Sequence, residues 1–100
     1  MSEHPLKAVM NIDPKLVEHM RSADDWAFAD GALPRKMKLL IAIAYDAAQG
    51  ASNGVRSLAQ QAINAGATRE EIGEALRVAY VLSGIGSVYV ASQGLKELFP

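Results

Sequence analysis

The sequence contains no cysteine among its 100 residues. Disulfide bonds, thiolate metal sites and thiol redox catalysis are therefore excluded for this chain acting alone, because each requires a cysteine sulfur. Histidine is also scarce, since His4 and His19 are the only two. Two separated histidines and scattered carboxylates do not form a transition-metal ligand set, so we expect neither a metal nor a cofactor.

Neither sign of charge dominates: ten lysines and arginines face eleven aspartates and glutamates, for a net charge of −1. Proteins that bind DNA or an anionic membrane surface usually concentrate positive charge, so no nucleic-acid or membrane partner is expected. The apolar stretch from Val78 to Val90 is interrupted by serines and glycines and is shorter than the roughly 20 residues of a membrane span. The first ten residues lack the apolar run of a signal peptide, which favours a cytoplasmic location.

Half of the residues are apolar, enough to give one domain a hydrophobic core. A chain this short buries a smaller fraction of its surface than a longer one, so the apolar, alanine-rich composition predicts that other subunits supply part of the burial. We therefore expect a homo-oligomer. No segment alternates with a period of two, which predicts an all-α domain over residues 13–100 after a flexible arm over residues 1–12.

Helix-start and helix-stop residues divide this domain. Asp13 followed by Pro14 is typical of a helix start, and the helix is predicted to run to about Ala29. Five of its side chains are predicted to point inward: Leu16, Val17, Met20, Trp26 and Phe28.

A pair of central helices is predicted next. The segment from Met37 to Ala48 is apolar on nearly every face, which is typical of a buried helix. Gly50 ends it, Ser52 or Asn53 is expected to cap the next helix, and Gly66 ends that one. The positive charges of the preceding helix start, at Arg35, Lys36 and Lys38, oppose the helix dipole, so we expect them to meet acidic residues of a neighbouring subunit or water.

Thr68 and Glu71 have the spacing of a capping box and begin another helix, which should end near Ser83 to Gly86. A last helix is predicted over about 87–98. These two helices superficially suggest a DNA-binding helix-turn-helix over Thr68 to Val88, but the second helix is too apolar for a DNA groove, and this reading is a remote alternative.

Three segments together resemble the carboxymuconolactone decarboxylase family, which includes the alkylhydroperoxidase D-like proteins. The segments are LPRKMKLLIAIA (33–44), AGATREEIGEAL (65–76) and YVLSGIGSVYVA (80–91). The resemblance covers residues 30–98 and implies a small domain of five to six helices that forms homo-oligomers, commonly trimers of dimers. It also implies a pocket at the hinge between the two central helices, and a peroxiredoxin-type oxidoreductase or a decarboxylase activity.

Redox-active relatives carry C-x-x-C-x-x-x-H at this hinge and a glutamate twelve residues before the first cysteine. The thiols attack peroxide and resolve the intermediate, while the histidine and glutamate move protons. The resemblance places Ala51 and Gly54 at the cysteine positions, Leu58 at the histidine and Leu39 at the glutamate. All four functional residue types are absent, and the lactone-decarboxylating branch, which resembles a site built on the same histidine, lacks it here too. The active site is thus predicted to be degenerate.

Our leading hypothesis is an oligomeric scaffold or a module that binds a small anionic or apolar ligand. The beginning of the second central helix collects polar groups that favour an anion, with Arg56 as counter-charge. Asp46 is expected to need a partner, either Arg56 or Arg77. An enzyme of the decarboxylase or lactone-processing kind with a displaced site is the alternative. The candidate pocket consists of Tyr45, Asp46, Ser52, Asn53, Arg56, Ser57 and Tyr80.

Overall fold

Six α-helices form the regular structure of residues 5–100, the part of the chain that the computed structural model describes. The predicted all-α class is confirmed, since this part of the chain contains no strand. The helices are α1 (Lys7–Ile12), α2 (Pro14–Phe28), α3 (Arg35–Ala48), α4 (Ser52–Asn64), α5 (Arg69–Ser83) and α6 (Gly86–Leu95).

The N-terminal part consists of two helices, α1 and α2, joined at Asp13. The Asp13 side chain accepts a hydrogen bond from the Leu16 amide at 3.2 Å, and Pro14 is the first residue of α2, as predicted. Residues 7–12, within the segment expected to be an arm, form α1, which buries none of its residues. Residues 1–4 of that arm, including His4, lie outside the described part, and its flexibility stays a prediction.

The prediction that five side chains of α2 point inward is largely wrong. Val17 is the only buried residue of this helix, whereas Leu16, Met20 and Trp26 are exposed and Phe28 is partly buried. The reason is topological, because α2 packs mainly against α1 and makes only a small contact with α3. Because α2 lies at the edge of the domain, no other helix packs over most of its apolar side chains.

Helices α3 and α4 pack antiparallel at the centre, with α5 and α6 against them. Gly50 and Gly66, which were predicted to end these two helices, have φ angles of +81° and +97°, in the left-handed region that suits a helix end. The core consists mainly of side chains from these four helices, and its largest fully buried members are Leu39, Ile43, Val55 and Ile72.

Two details of the central pair differ from prediction. Helix α3 is not buried on all sides: Ile41 and Tyr45 are 55% and 65% exposed, because the helix has protein neighbours on only part of its circumference. Helix α4 has Ala51 at its N-cap and no side-chain cap. Ser52 does not cap it because it already lies within the first turn, one residue past the position from which a cap reaches back.

The capping box at the start of α5 is confirmed. The Thr68 hydroxyl accepts a hydrogen bond from the Glu71 amide at 3.1 Å, and the Glu71 carboxylate accepts one from the Thr68 amide at 2.9 Å. The α5–α6 turn is held by the buried Ser87, whose hydroxyl donates to the Gly84 carbonyl at 2.8 Å. No helix within residues 5–100 has the length and hydropathy needed to cross a membrane.

Candidate functional site

The hinge between α3 and α4 brings together an unexpected pair of residues, Asp46 and Gly54. The Ala51 amide donates to the Asp46 main-chain carbonyl at 2.9 Å, which folds the chain back after α3. A Cβ placed on Gly54 would overlap the Asp46 carboxylate and would lie 3.5 Å from the Ala51 Cβ. The carboxylate therefore occupies the space above the first turn of α4 that a side chain at position 54 would need.

The other two family-matched positions are leucines, one in the core and one at its edge, beside a depression of 250 Å³. Leu39, at the glutamate position, is fully buried in the core, and Leu58, at the histidine position, is partly buried and packs against that core. An ionised side chain at such a site is costly without partners, whereas burying leucine stabilises the fold. Neither position offers a group that transfers a proton.

The prediction that Asp46 pairs with Arg56 or Arg77 is wrong. Arg56 instead forms an ion pair with Glu97 of the segment after α6, at 2.6 Å, with both side chains 57% exposed. Asp46 is half-buried and forms no ion pair with any residue in the range 5–100. Sequence reasoning missed its position over Gly54 because that position depends on how α3 and α4 pack, although a glycine in the first turn of a helix was an available signal.

The predicted ligand-pocket residues are divided among separate surfaces. Tyr45 and Asp46 border a shallow depression beside Phe28 and Lys38. Ser52, Asn53 and Arg56 line a cleft of 180 Å³ against the end of α6, where Glu97 already neutralises the arginine. The structure does not place all seven residues around one cavity, and ligand binding by them stays a prediction.

Two of these seven residues lie outside both depressions. The Ser57 hydroxyl accepts a hydrogen bond from the Gln61 side chain at 3.4 Å, one turn further along α4. Tyr80 is 49% exposed on α5 and borders neither the Tyr45 depression nor the cleft at Arg56.

The positive charges at the start of α3 find partners within the chain. Lys36 pairs with the Glu71 carboxylate at 3.0 Å, Arg35 donates to the Gln61 side chain at 3.1 Å, and Lys38 donates to the Ala29 carbonyl at 2.6 Å. The hydrogen bond from the Thr68 amide and the neighbouring Lys36 lower the pKa of Glu71 below its ordinary value. These contacts join α3 to α4 and α5 and do not require a neighbouring subunit.

No group of three histidine, aspartate or glutamate side chains within residues 5–100 is arranged to hold a metal ion. His19 is exposed on α2. The one acidic side chain at the hinge is therefore the half-buried carboxylate of Asp46.

Comparison with known proteins identifies the family. The family model described as "Carboxymuconolactone decarboxylase family" matches residues 14–97, which is most of the chain. The chain belongs to the carboxymuconolactone decarboxylase family. The match begins well before residue 30, so it includes α2 as well as the segments that carried the resemblance.

A solved structure of the same family supports the fold. The crystal structure of a carboxymuconolactone decarboxylase family protein from Legionella pneumophila is 32% identical in sequence, with a TM-score of 0.84. The alignment covers 91% of this chain and 81% of the Legionella chain. A comparison with curated proteins found no match. Family membership and fold are thus shown, and this member of the family has no cysteine.

Proposed function

We propose that this member of the carboxymuconolactone decarboxylase family is an oligomeric scaffold without thiol redox chemistry. The observation that carries the proposal is a large exposed apolar surface, which we call the α5–α6 corner. It comprises Val78, Val81, Leu82, Ile85, Val88 and Tyr89, whose exposed fractions range from 44% to 82%. Isolated exposed apolar residues are common, but a contiguous group of this kind is typical of an interface.

A neighbouring groove extends the apolar surface toward α3. Its 550 Å³ lie between α3 and α5, with Met37, Ile41 and Val78 on its walls and Glu71 and Glu74 at its rim. Covering a leucine or valine side chain contributes about 1.5–3 kcal/mol, so several such residues offset the cost of association. The surface favours a second copy of the chain as partner, which is the assembly expected from the composition.

Oligomeric mass tests this proposal. The purified chain should elute as one species larger than a monomer in size-exclusion chromatography with light scattering. The double variant Val81→Asp/Leu82→Asp should shift the chain toward monomer, because a carboxylate in an apolar interface loses its hydration. Arg77→Asp adds negative charge to the same helix without removing apolar surface, and it serves as the matched control. A monomeric wild-type chain at 100 μM, on the order of concentrations where weak dimers form, would refute the proposal.

Thiol chemistry is tested separately. With no thiol, the chain should give no catalytic removal of hydroperoxide in the presence of a dithiol beyond that of a blank without protein. Catalytic turnover would show a peroxidase mechanism that does not use a protein thiol and would overturn this part of the proposal.

Asp46 favours one second candidate, a decarboxylase-like or lactone-processing enzyme with a displaced site. It is a half-buried carboxylate without an ion-pair partner within residues 5–100, and it lies at the hinge where the resemblance places the family's pocket. A carboxylate in that setting can act as a general base. Carbon dioxide release from a carboxylated γ-lactone should then be lost in Asp46→Asn and retained in Glu70→Gln, which changes an exposed carboxylate on α5. Equal rates in the two variants, or none in the wild type, reject this candidate.

A further inference from the structure

A second cleft lies on the opposite side of α5 from the α3 groove, between this helix, the end of α6 and the C-terminal turn. Its volume is 720 Å³, within the range of about 300–1,000 Å³ that small-molecule sites occupy. None of its lining residues belongs to the hinge or to the α5–α6 corner. Lys96 is the one lining residue that it shares with the small cleft at Arg56.

The walls of the cleft are apolar and continuous with the core. Ile72 is buried, and four partly buried side chains pack against the core beside it: Leu76, Leu95, Leu98 and Phe99. On α5 the wall is open at Gly73, where an added Cβ would meet no atom within 4 Å. The cleft thus combines an apolar floor with an unfilled position in one wall.

The charged side chains that line the cleft are all positive, and Pro100, the last residue of the given sequence, also borders it. Arg69 and Lys96 both border it, Ser92 adds a hydroxyl, and no aspartate or glutamate is among its lining residues. The Arg69 guanidinium lies over the Phe99 ring, 5.8 Å from its centroid. Neither cation forms an ion pair with a residue in the described range. Two cationic side chains at the edge of an apolar cleft, with no side-chain carboxylate among the lining residues, complement an anion with an apolar body.

We propose that this cleft binds a free monocarboxylic acid with an apolar chain or ring. The carboxylate lies between Arg69 and Lys96, and the apolar body covers Leu76, Leu95 and Phe99. Arginine suits this role because its planar group donates two parallel hydrogen bonds to a carboxylate while its face stacks on an aromatic ring. The anion site predicted at the start of α4 is a neighbouring cleft that shares Lys96, and there Glu97 already pairs with Arg56.

Decanoate is the probe, and decanol, which has the same chain length and no charge, is its matched control. Calorimetric titration of the full chain should show decanoate binding at least about tenfold more tightly than decanol, because only the acid pairs with the cations. Arg69→Gln and Lys96→Gln should each weaken decanoate binding by about tenfold while leaving decanol unchanged. Arg77→Gln, which removes an exposed charge from α5 outside the cleft, should leave both affinities unchanged.

A blocking variant tests the location independently of charge. Gly73→Leu places a side chain in the open part of the wall and should abolish decanoate binding while circular dichroism shows retained helicity. Equal binding of decanoate and decanol, equal losses in Arg69→Gln and Arg77→Gln, or no binding of decanoate at millimolar concentration would each overturn the proposal. A change of oligomeric mass in Arg69→Gln would also overturn it, because the cleft would then be an interface between copies. Binding is measured apart from assembly, so failure of the scaffold proposal leaves this test intact.

Discussion

Gly94 is a point of close approach between α6 and α4, and replacing it with alanine should destabilise the protein. A Cβ at this position would lie 2.5 Å from the Ser52 carbonyl oxygen and 2.9 Å from the Val55 Cβ. The Ser52 oxygen belongs to the main chain and Val55 is fully buried, so neither can rotate away. The whole of α6 must therefore move outward to admit one methyl group.

Two opposing effects set the change in the free energy of unfolding of Gly94→Ala. Alanine is favoured over glycine within a helix by about 1 kcal/mol, whereas overpacking a well-filled contact costs about 1–3 kcal/mol and occasionally more. Because the clash involves main-chain atoms, we expect the cost to be at the upper end and Gly94→Ala to lower the free energy of unfolding by about 1–2 kcal/mol. For a domain of this size that is a fall in Tm of about 5–15 °C.

Gly73 provides the matched control. It lies inside α5, is exposed, and an added Cβ there would meet nothing within 4 Å. Gly73→Ala should therefore raise the stability by about 0.5–1 kcal/mol through helix propensity alone. Both variants are measured by urea unfolding monitored at 222 nm, at one fixed protein concentration because association adds to apparent stability. A Gly94→Ala protein at least as stable as wild type would refute the described packing of α6 on α4.

Three further predictions concern the α5 start and the hinge. Thr68→Ala should lower the free energy of unfolding by about 1 kcal/mol in urea titrations, since it removes the hydroxyl that accepts from the Glu71 amide. Because the Thr68 amide and Lys36 lower the pKa of Glu71 in the folded state, the stabilisation is complete above the ordinary value of 4.5 and is lost as pH falls through the lowered one. Wild type should thus lose more Tm than Glu71→Gln between about pH 6 and pH 3, and parallel curves would contradict this. Gly54→Ala should lower the free energy of unfolding less than Gly94→Ala does, because the obstructing Asp46 carboxylate ends a side chain that can rotate. An equal loss of stability in urea unfolding would show that this carboxylate is held rigidly.

Local signals predicted where the helices begin and end. Asp13 with Pro14, and Thr68 with Glu71, act through atoms two or three residues apart, so their hydrogen bonds form wherever the rest of the chain lies. Gly50 is similar, since its left-handed φ angle depends on its own missing side chain. The fold class and the helices from α2 onward could therefore be inferred from the sequence, the family came from the resemblance of three segments, and α1 was missed.

Burial could not be inferred in the same way. Trp26 and Leu82 have the helical spacing of core residues, yet they are 83% and 82% exposed. Hydrophobicity indicates that a side chain avoids water but does not identify what covers it, which can be the same chain or another molecule. The partners of Asp46 and Arg56 depend in turn on how α3, α4 and α6 pack, and no sequence spacing records that arrangement.

The position of Asp46 bears on whether the hinge can hold the cysteines that the family resemblance places there. At the two positions matched to cysteines, Ala51 has only a methyl group and Gly54 has no side chain, and the Asp46 carboxylate occupies the space above Gly54. Any side chain at position 54, cysteine included, requires that carboxylate to leave. A thiol at 54 and Asp46 in its present rotamer are therefore mutually exclusive. Leu39 is embedded in the core, and Leu58 packs on it while bordering a depression of 250 Å³ beside Arg35. A cysteine at position 54 therefore requires Asp46, on the other central helix, to change its rotamer, so the two helices are coupled at this hinge.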